Sequence, residues 1–165
     1  MRQGQGAPAA RRLVENARTT CAVSWLTEAR ADVRGALAAW DRAELATVPV
    51  GRAWDVVRIR QRVGWRTIHR LRADGSPLGP VLHTATHVEV FVPAGAARSW
   101  QAPQTSALGP GDFVAAPDPA VIAPLTTRAR TWIVAPAAPL VLTDPDALHA
   151  AYLAAYEVMK VVTRR

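Results

Sequence analysis

Six residues, His87 to Val92, alternate strictly: Val88, Val90 and Val92 point one way, His87, Glu89 and Phe91 the other. A period of two is the mark of a strand with two different faces. Pro93-Ala94-Gly95 ends the run. Four further segments read as short strands: Trp54 to Ile59, Pro80 to Leu82, Asp112 to Ala116 and Thr131 to Val134. Residues 94–111, with Pro103, Gly109, Pro110 and Gly111, read as loop, as does the stretch holding Pro117, Pro119 and Pro124.

Three stretches carry the helical period instead. Ala22, Leu26, Ala29, Val33, Leu37 and Trp40 recur at steps of four, three and four, which predicts one long helix ending near Leu45, before Pro49 and Gly51. Gln61 to Arg72 is a second helix, stopped by the turn Ala73 to Pro77. In the third, Asp144 can cap, Pro145 suits the first helical position and Asp146 the positive end of the dipole. Its apolar stripe is Leu148, Tyr152, Ala155, Tyr156 and Met159. The order α-β-α-β-β-β-β-α predicts an α+β fold, a mixed or antiparallel sheet packed with N-terminal, middle and C-terminal helices. The chain's 165 residues, half of them apolar, fit one domain. It is expected over residues 13–165, after a flexible basic tail at 1–12 that lacks the apolar core of a secretory leader.

No apolar run reaches the roughly 18–20 residues of a bilayer span, so no membrane partner is expected. Cys21 is the single cysteine, which rules out an intrachain disulfide and points to a reducing, cytoplasmic setting. Cys21 itself reads as a small packing residue. The formal charge is +7, carried almost wholly by arginine, with Lys160 the sole lysine. That usage is typical of GC-rich genomes such as those of actinobacteria, so the informative quantity is where the charge lies. Residues 52–72 hold seven arginines against Asp55, a local +6; residues 73–127 are net −3.

Three clusters could carry chemistry. On the helix 61–72, Val63, Gly64, Thr67, Ile68 and Leu71 share one arc, and Arg62, Arg66, Arg70 and Arg72 the opposite one, with Trp65 and His69 among them. Guanidinium groups neutralise phosphates and an indole offers a base a stacking plane. The plainer alternative is a solvated outer face with Trp65 tucked under a loop. His83, His87 and Glu89 could be read as ligands for zinc or manganese, although a hydrogen-bonded strand histidine suits the spacing better. Asp112 and Asp118 lie six apart with nothing that forces them together. Arg128 and Arg130 would share a face if their stretch is extended, a second phosphate contact. No P-loop, nucleophile elbow, dinucleotide fingerprint or Cys-x-x-Cys occurs.

The segment Thr84 to Gly95 (TATHVEVFVPAG) is similar to part of the bifunctional DNA primase/polymerase N-terminal domain, in the archaeo-eukaryotic primase superfamily. Gly109 to Pro117 (GPGDFVAAP) resembles that family's next segment, and Trp132 falls where an aromatic often follows. The WDVVR strand, Gly79 to Leu82 and Leu142 to Pro145 resemble short actinobacterial members, so the likeness runs from residue 54 to 150. It implies a nucleotide-contacting role for His87. It also implies two alternating carboxylates upstream, to hold the paired Mg or Mn ions of phosphoryl transfer. Here that strand offers only Asp55, followed by two valines, and the sole other acid before His87 is Asp74 in a turn.

The leading expectation is therefore a non-catalytic primase/polymerase-like domain, needing no cofactor, that binds DNA, nucleic acid or a nucleotide. Arg58, Arg62, Trp65, Arg66, Arg70, His87 and Arg128 are its contact candidates. No catalytic residue or metal ligand is assigned. A second reading is a protein-interaction module without nucleotide binding, for which six tryptophans leave room for an exposed anchor. A third is an active nucleotidyltransferase with displaced carboxylates Asp55, Glu89 and Asp112, the one case that requires Mg or Mn.

Overall fold

A computed structural model describes residues 7–163. Over the described residues the chain is an α+β fold of four helices and two antiparallel sheets. In order it runs α1 (Ala7–Glu28), α2 (Val33–Asp41), β1 (Ala46–Pro49), β2 (Trp54–Arg60), α3 (Gln61–Ala73), β3 (Val81–His83) and β4 (His87–Pro93). After a 3-10 turn at Ala96–Arg98 come β5 (Thr105–Leu108), β6 (Phe113–Ala116), β7 (Thr131–Val134) and α4 (Pro145–Thr163). The main sheet has the order β5-β2-β4-β3-β7, and β1 pairs with β6 in a small second sheet.

The alternation of β4 separates two cores. Val88, Val90 and Val92 join Val57 and Ile59 of β2 under α3 and α4, where Ile68, Leu71, Leu148 and Tyr152 complete the layer. On the other face Phe91 joins Trp54, Val56, Leu82 and Trp132, covered by the end of α1, by α2 and by the small sheet. Trp25 fills the centre there, stacked on Trp54 at 5.2 Å and meeting Trp132 edge-on at 5.7 Å. Such pairs add about 0.5–1.5 kcal/mol each beyond their buried area.

The apolar stripe from Ala22 to Trp40 belongs to two helices, not one. The chain turns at Arg30, whose φ is +55°, and the bonds Ala31 N–H to Leu26 O (2.9 Å) and Arg30 N–H to Thr27 O (3.0 Å) close α1 as a Schellman motif. Asp32 then starts α2, accepting the Gly35 N–H at 3.0 Å. Both helices bury their stripe in the same core, so the periodicity survives the break. α1 begins at Ala7, so the second half of the segment read as a tail is helical, and residues 1–6 lie outside the described residues. Two short strands were not expected, β1 and β5, the latter an edge strand inside the stretch read as loop.

Candidate nucleic-acid interface

β2 runs into α3 without a loop: Arg60 ends one and Gln61 starts the other. No side chain caps α3. The Gln61 N–H donates instead to Thr86 O (3.1 Å) and its side-chain amide to Thr84 O (2.6 Å). The helix start is thereby tied to the turn that leads into β4 and His87. Gly64 lets the helix lie close, since a Cβ there would sit 2.8 Å from the Val88 side chain. Val63, Gly64, Thr67, Ile68 and Leu71 are buried, as their arc requires. Arg62, Trp65, Arg66, His69, Arg70 and Arg72 are exposed. Of the six tryptophans, Trp65 is the exposed one, at 44%, its ring 5.5 Å from that of His83. Burial lowers the pKa of His83, which favours the neutral form of the ring beside Trp65.

Three hollows follow one another around this end of the sheet. A groove of about 920 Å³ between α3 and α4 is lined by Arg62, Trp65, Arg66 and Arg70. A second, of about 650 Å³, shares Arg62 and adds Arg60, Tyr156 and Lys160. A third, of about 570 Å³, shares Arg60 and adds Arg58, His87 and Ser106 on the far face of the sheet. The predicted residues thus fall on two faces, α3 on one and Arg58 with His87 on the other, bridged by Arg60. Lys160 is paired with Glu157 at 3.0 Å and lies over the Tyr156 ring at 5.0 Å. Thr86 Oγ1 lies 2.7 Å from His87 Nδ1 and orients the ring.

Glu89 is 1% exposed and lies opposite Arg58 in the β2–β4 ladder. Its Oε1 accepts from Arg58 Nε at 2.8 Å, and its Oε2 lies 3.6 Å from Arg130 Nη1. It acts as an internal counter-ion to two arginines. Asp55, also buried, accepts the Gly95 and Ala97 N–H groups through Oδ2, each at 2.8 Å, and so builds the 3-10 turn. Asp112 accepts the Gly109 N–H at 2.9 Å. The displaced-carboxylate set does not converge: Asp55 and Glu89 point to opposite faces of the sheet, given that Asp55 lies opposite Val92 and Glu89 opposite Arg58. Nor do the three supposed metal ligands meet. His83 turns to Trp65 on the α3 side, whereas Glu89 faces Arg58. Among the described residues no group of three or more such side chains is placed to hold a metal.

One candidate stands in a different local geometry from the one expected. Arg128 and Arg130 are not on an extended strand. Thr127 and Arg130 exchange both backbone hydrogen bonds around a two-residue turn in which Arg128 (φ +47°) and Ala129 (φ +59°) are left-handed. Arg128 lines none of the three hollows, and its charge is felt at Glu44. That carboxyl is held below its ordinary range first by its hydrogen bond from Arg42 and that side chain's charge, and to a smaller extent by Arg128. Arg130 is the one that reaches Glu89. Arg60 was also missed, although its alternation with Arg58 puts both on one sheet face. Lys160 lies on α4, far away in sequence, where no local pattern could point to it.

Among the described residues no helix is long and apolar enough to cross a membrane. Comparison with known protein families, curated proteins and solved structures finds no match.

Proposed function

We propose that this domain binds nucleic acid without catalysing a reaction on it, holding successive phosphates along the cationic track around the sheet end. The observation that carries the reading is the chain of shared residues. Arg66 and Arg70 lead through Arg62 to Lys160 and Arg60, then to Arg58 and His87, with Trp65 open beside them. Isolated surface arginines would solvate a face; arginines lining consecutive hollows match a polyanion. The separate engagement of Asp55, Glu89 and Asp112 by backbone and arginine groups argues against two-metal phosphoryl transfer in this arrangement. The likeness of residues 84–95 to a segment of primase/polymerase domains supports a nucleic-acid ligand, though not the metal chemistry of that family.

The test is fluorescence anisotropy on labelled single- and double-stranded DNA across a salt series. Neutralising about four phosphates releases their counter-ions, so affinity should fall about 50- to 150-fold between 50 and 200 mM salt. The triple variant Arg62→Ala/Arg66→Ala/Arg70→Ala should bind at least about tenfold more weakly at fixed salt, with a shallower slope. Absence of binding by the wild type at low salt refutes the reading.

A further inference from the structure

Trp65 stands apart from the other tryptophans. Trp25, Trp40, Trp54 and Trp132 are buried together in one core. Trp100 is half-buried, and its Nε1 donates to Thr105 Oγ1 at 2.9 Å. The Trp65 ring leans on that of His83 at an interplanar angle of 47° and is still open to solvent. Tyr156, which lines the second hollow, is not equivalent to it. Its ring already stacks on Tyr152 at 5.7 Å and carries Lys160 Nζ at 5.0 Å from the ring centre.

The groove beside Trp65 has two unlike sides. α3 supplies the indole and the arginines, whereas α4 supplies Ala154, Ala155 and Val158. Among the described residues its lining holds four arginines and one acid, Asp74 at the end of α3. An apolar wall, an open aromatic plane and a cationic rim together suit a flat ring joined to a phosphate. The ring lies on the indole, α4 keeps water from it, and the guanidiniums take the phosphate. A duplex cannot offer such a ring. Its bases are stacked on one another, and only phosphates and base edges face outward. A helix enters the major groove as a projecting ridge, but α4 packs beside α3 and the arginines border the trough between them.

We infer that the α3–α4 groove takes an unpaired base on the face of Trp65, and that the basic track therefore prefers single-stranded nucleic acid. This rests on the nucleic-acid reading above, which the arginines alone would satisfy with a duplex. The third hollow has the opposite character. Arg58, Arg60, His87, Gln104, Thr105 and Ser106 line it, with no apolar wall, so it holds backbone phosphate and not a base. Base contact is confined to the α3 end of the track. Stacking there is tolerant of sequence, because every base has a π face.

The experiment is fluorescence anisotropy on a labelled thymidine strand and on a duplex hairpin with the same number of phosphates, at about 50 and 200 mM salt. Circular dichroism confirms the fold of each variant. The wild type should favour the strand at least about tenfold at the higher salt, where phosphate attraction is screened and stacking is not. Trp65→Leu keeps apolar bulk but removes the plane. It should weaken strand binding about 5- to 150-fold and duplex binding less than about twofold. Trp65→Phe should recover much of the loss. Saturation with the strand should quench part of the wild-type tryptophan fluorescence, and that part should be missing in Trp65→Leu. Equal affinity for strand and duplex at the higher salt overturns the base site, as does a Trp65→Leu variant that binds the strand like the wild type. If Arg62→Ala/Arg66→Ala/Arg70→Ala still weakens both ligands in that event, the track stands and the base site alone falls. Absence of wild-type binding to either ligand removes both.

Discussion

Glu89 shows how one buried side chain decides what its surroundings can do. In a metal site a carboxylate at this position would face other acids; here it faces Arg58 and Arg130. Replacing it with glutamine keeps an acceptor for Arg58 but removes the counter-charge from beneath two partly exposed guanidiniums. Breaking a buried pair from one side costs more than the pair contributes net. Because both arginines retain solvent contact, the cost should be about 1–3 kcal/mol, a fall in Tm of roughly 3–10 °C. At the same time the hollow formed by Arg58, Arg60 and His87 gains a unit of positive charge, so Glu89→Gln should bind DNA more tightly at low salt. Thermal unfolding and anisotropy on the same sample check both signs. A variant that is less stable but binds more weakly would place Glu89 among the ligand contacts, not beneath them.

At the scale of elements, the β7 approach is closed by a turn whose residues do not suit it. Two-residue hairpins need two left-handed residues and favour Asn-Gly, yet this one uses Arg128 and Ala129. Each costs roughly 1 kcal/mol in that region. The double change Arg128→Asn/Ala129→Gly should therefore raise Tm by about 4–8 °C. It should leave DNA affinity unchanged, because Arg128 lines none of the three hollows of the basic track. Lost binding would return Arg128 to the interface. The same turn explains why the sequence misled at this point: Thr-Arg-Ala-Arg has no residue that announces a reversal. Where local chemistry and tertiary demand agree, the elements are readable. Asp144-Pro145 starts α4 and Gly75 (φ +69°) closes α3, each with the residue its geometry favours. Arg30 closes α1 in the same left-handed conformation without glycine, so the break from α2 was invisible. β5 was hidden because an edge strand of four half-exposed residues needs only one partner and little apolar patterning.

The candidate site was legible in its parts and not in its assembly. The amphipathic arc of α3 follows from helical geometry alone. The bridge from that helix to Arg58 and His87 depends on β2 running straight into α3, and on Lys160 arriving from a helix almost a hundred residues later. The whole molecule carries this charge almost entirely as arginine, with one lysine, and arginine stays charged well into the alkaline range. Alkaline stability is therefore governed by few groups, and Tyr152 is the one with a folded-state pKa pushed up to about 12, by burial first and then by Tyr156. Its hydroxyl donates to Pro103 O, joining α4 to the segment before β5. A phenol whose pKa is raised on folding binds its proton more tightly in the native state. Its contribution is complete below the unfolded value near 10 and is lost as pH rises through the folded one. Unfolding by denaturant at pH 8, 10 and 11.5 should show a decline concentrated in the last interval, of about 1–2 kcal/mol there. Tyr152→Phe should be less stable at pH 8, because the Pro103 carbonyl loses its donor, and nearly flat from pH 8 to 11.5. An equal decline in the phenylalanine variant would move the alkaline sensitivity away from Tyr152 and leave the α4 hydrogen bond a structural contact only.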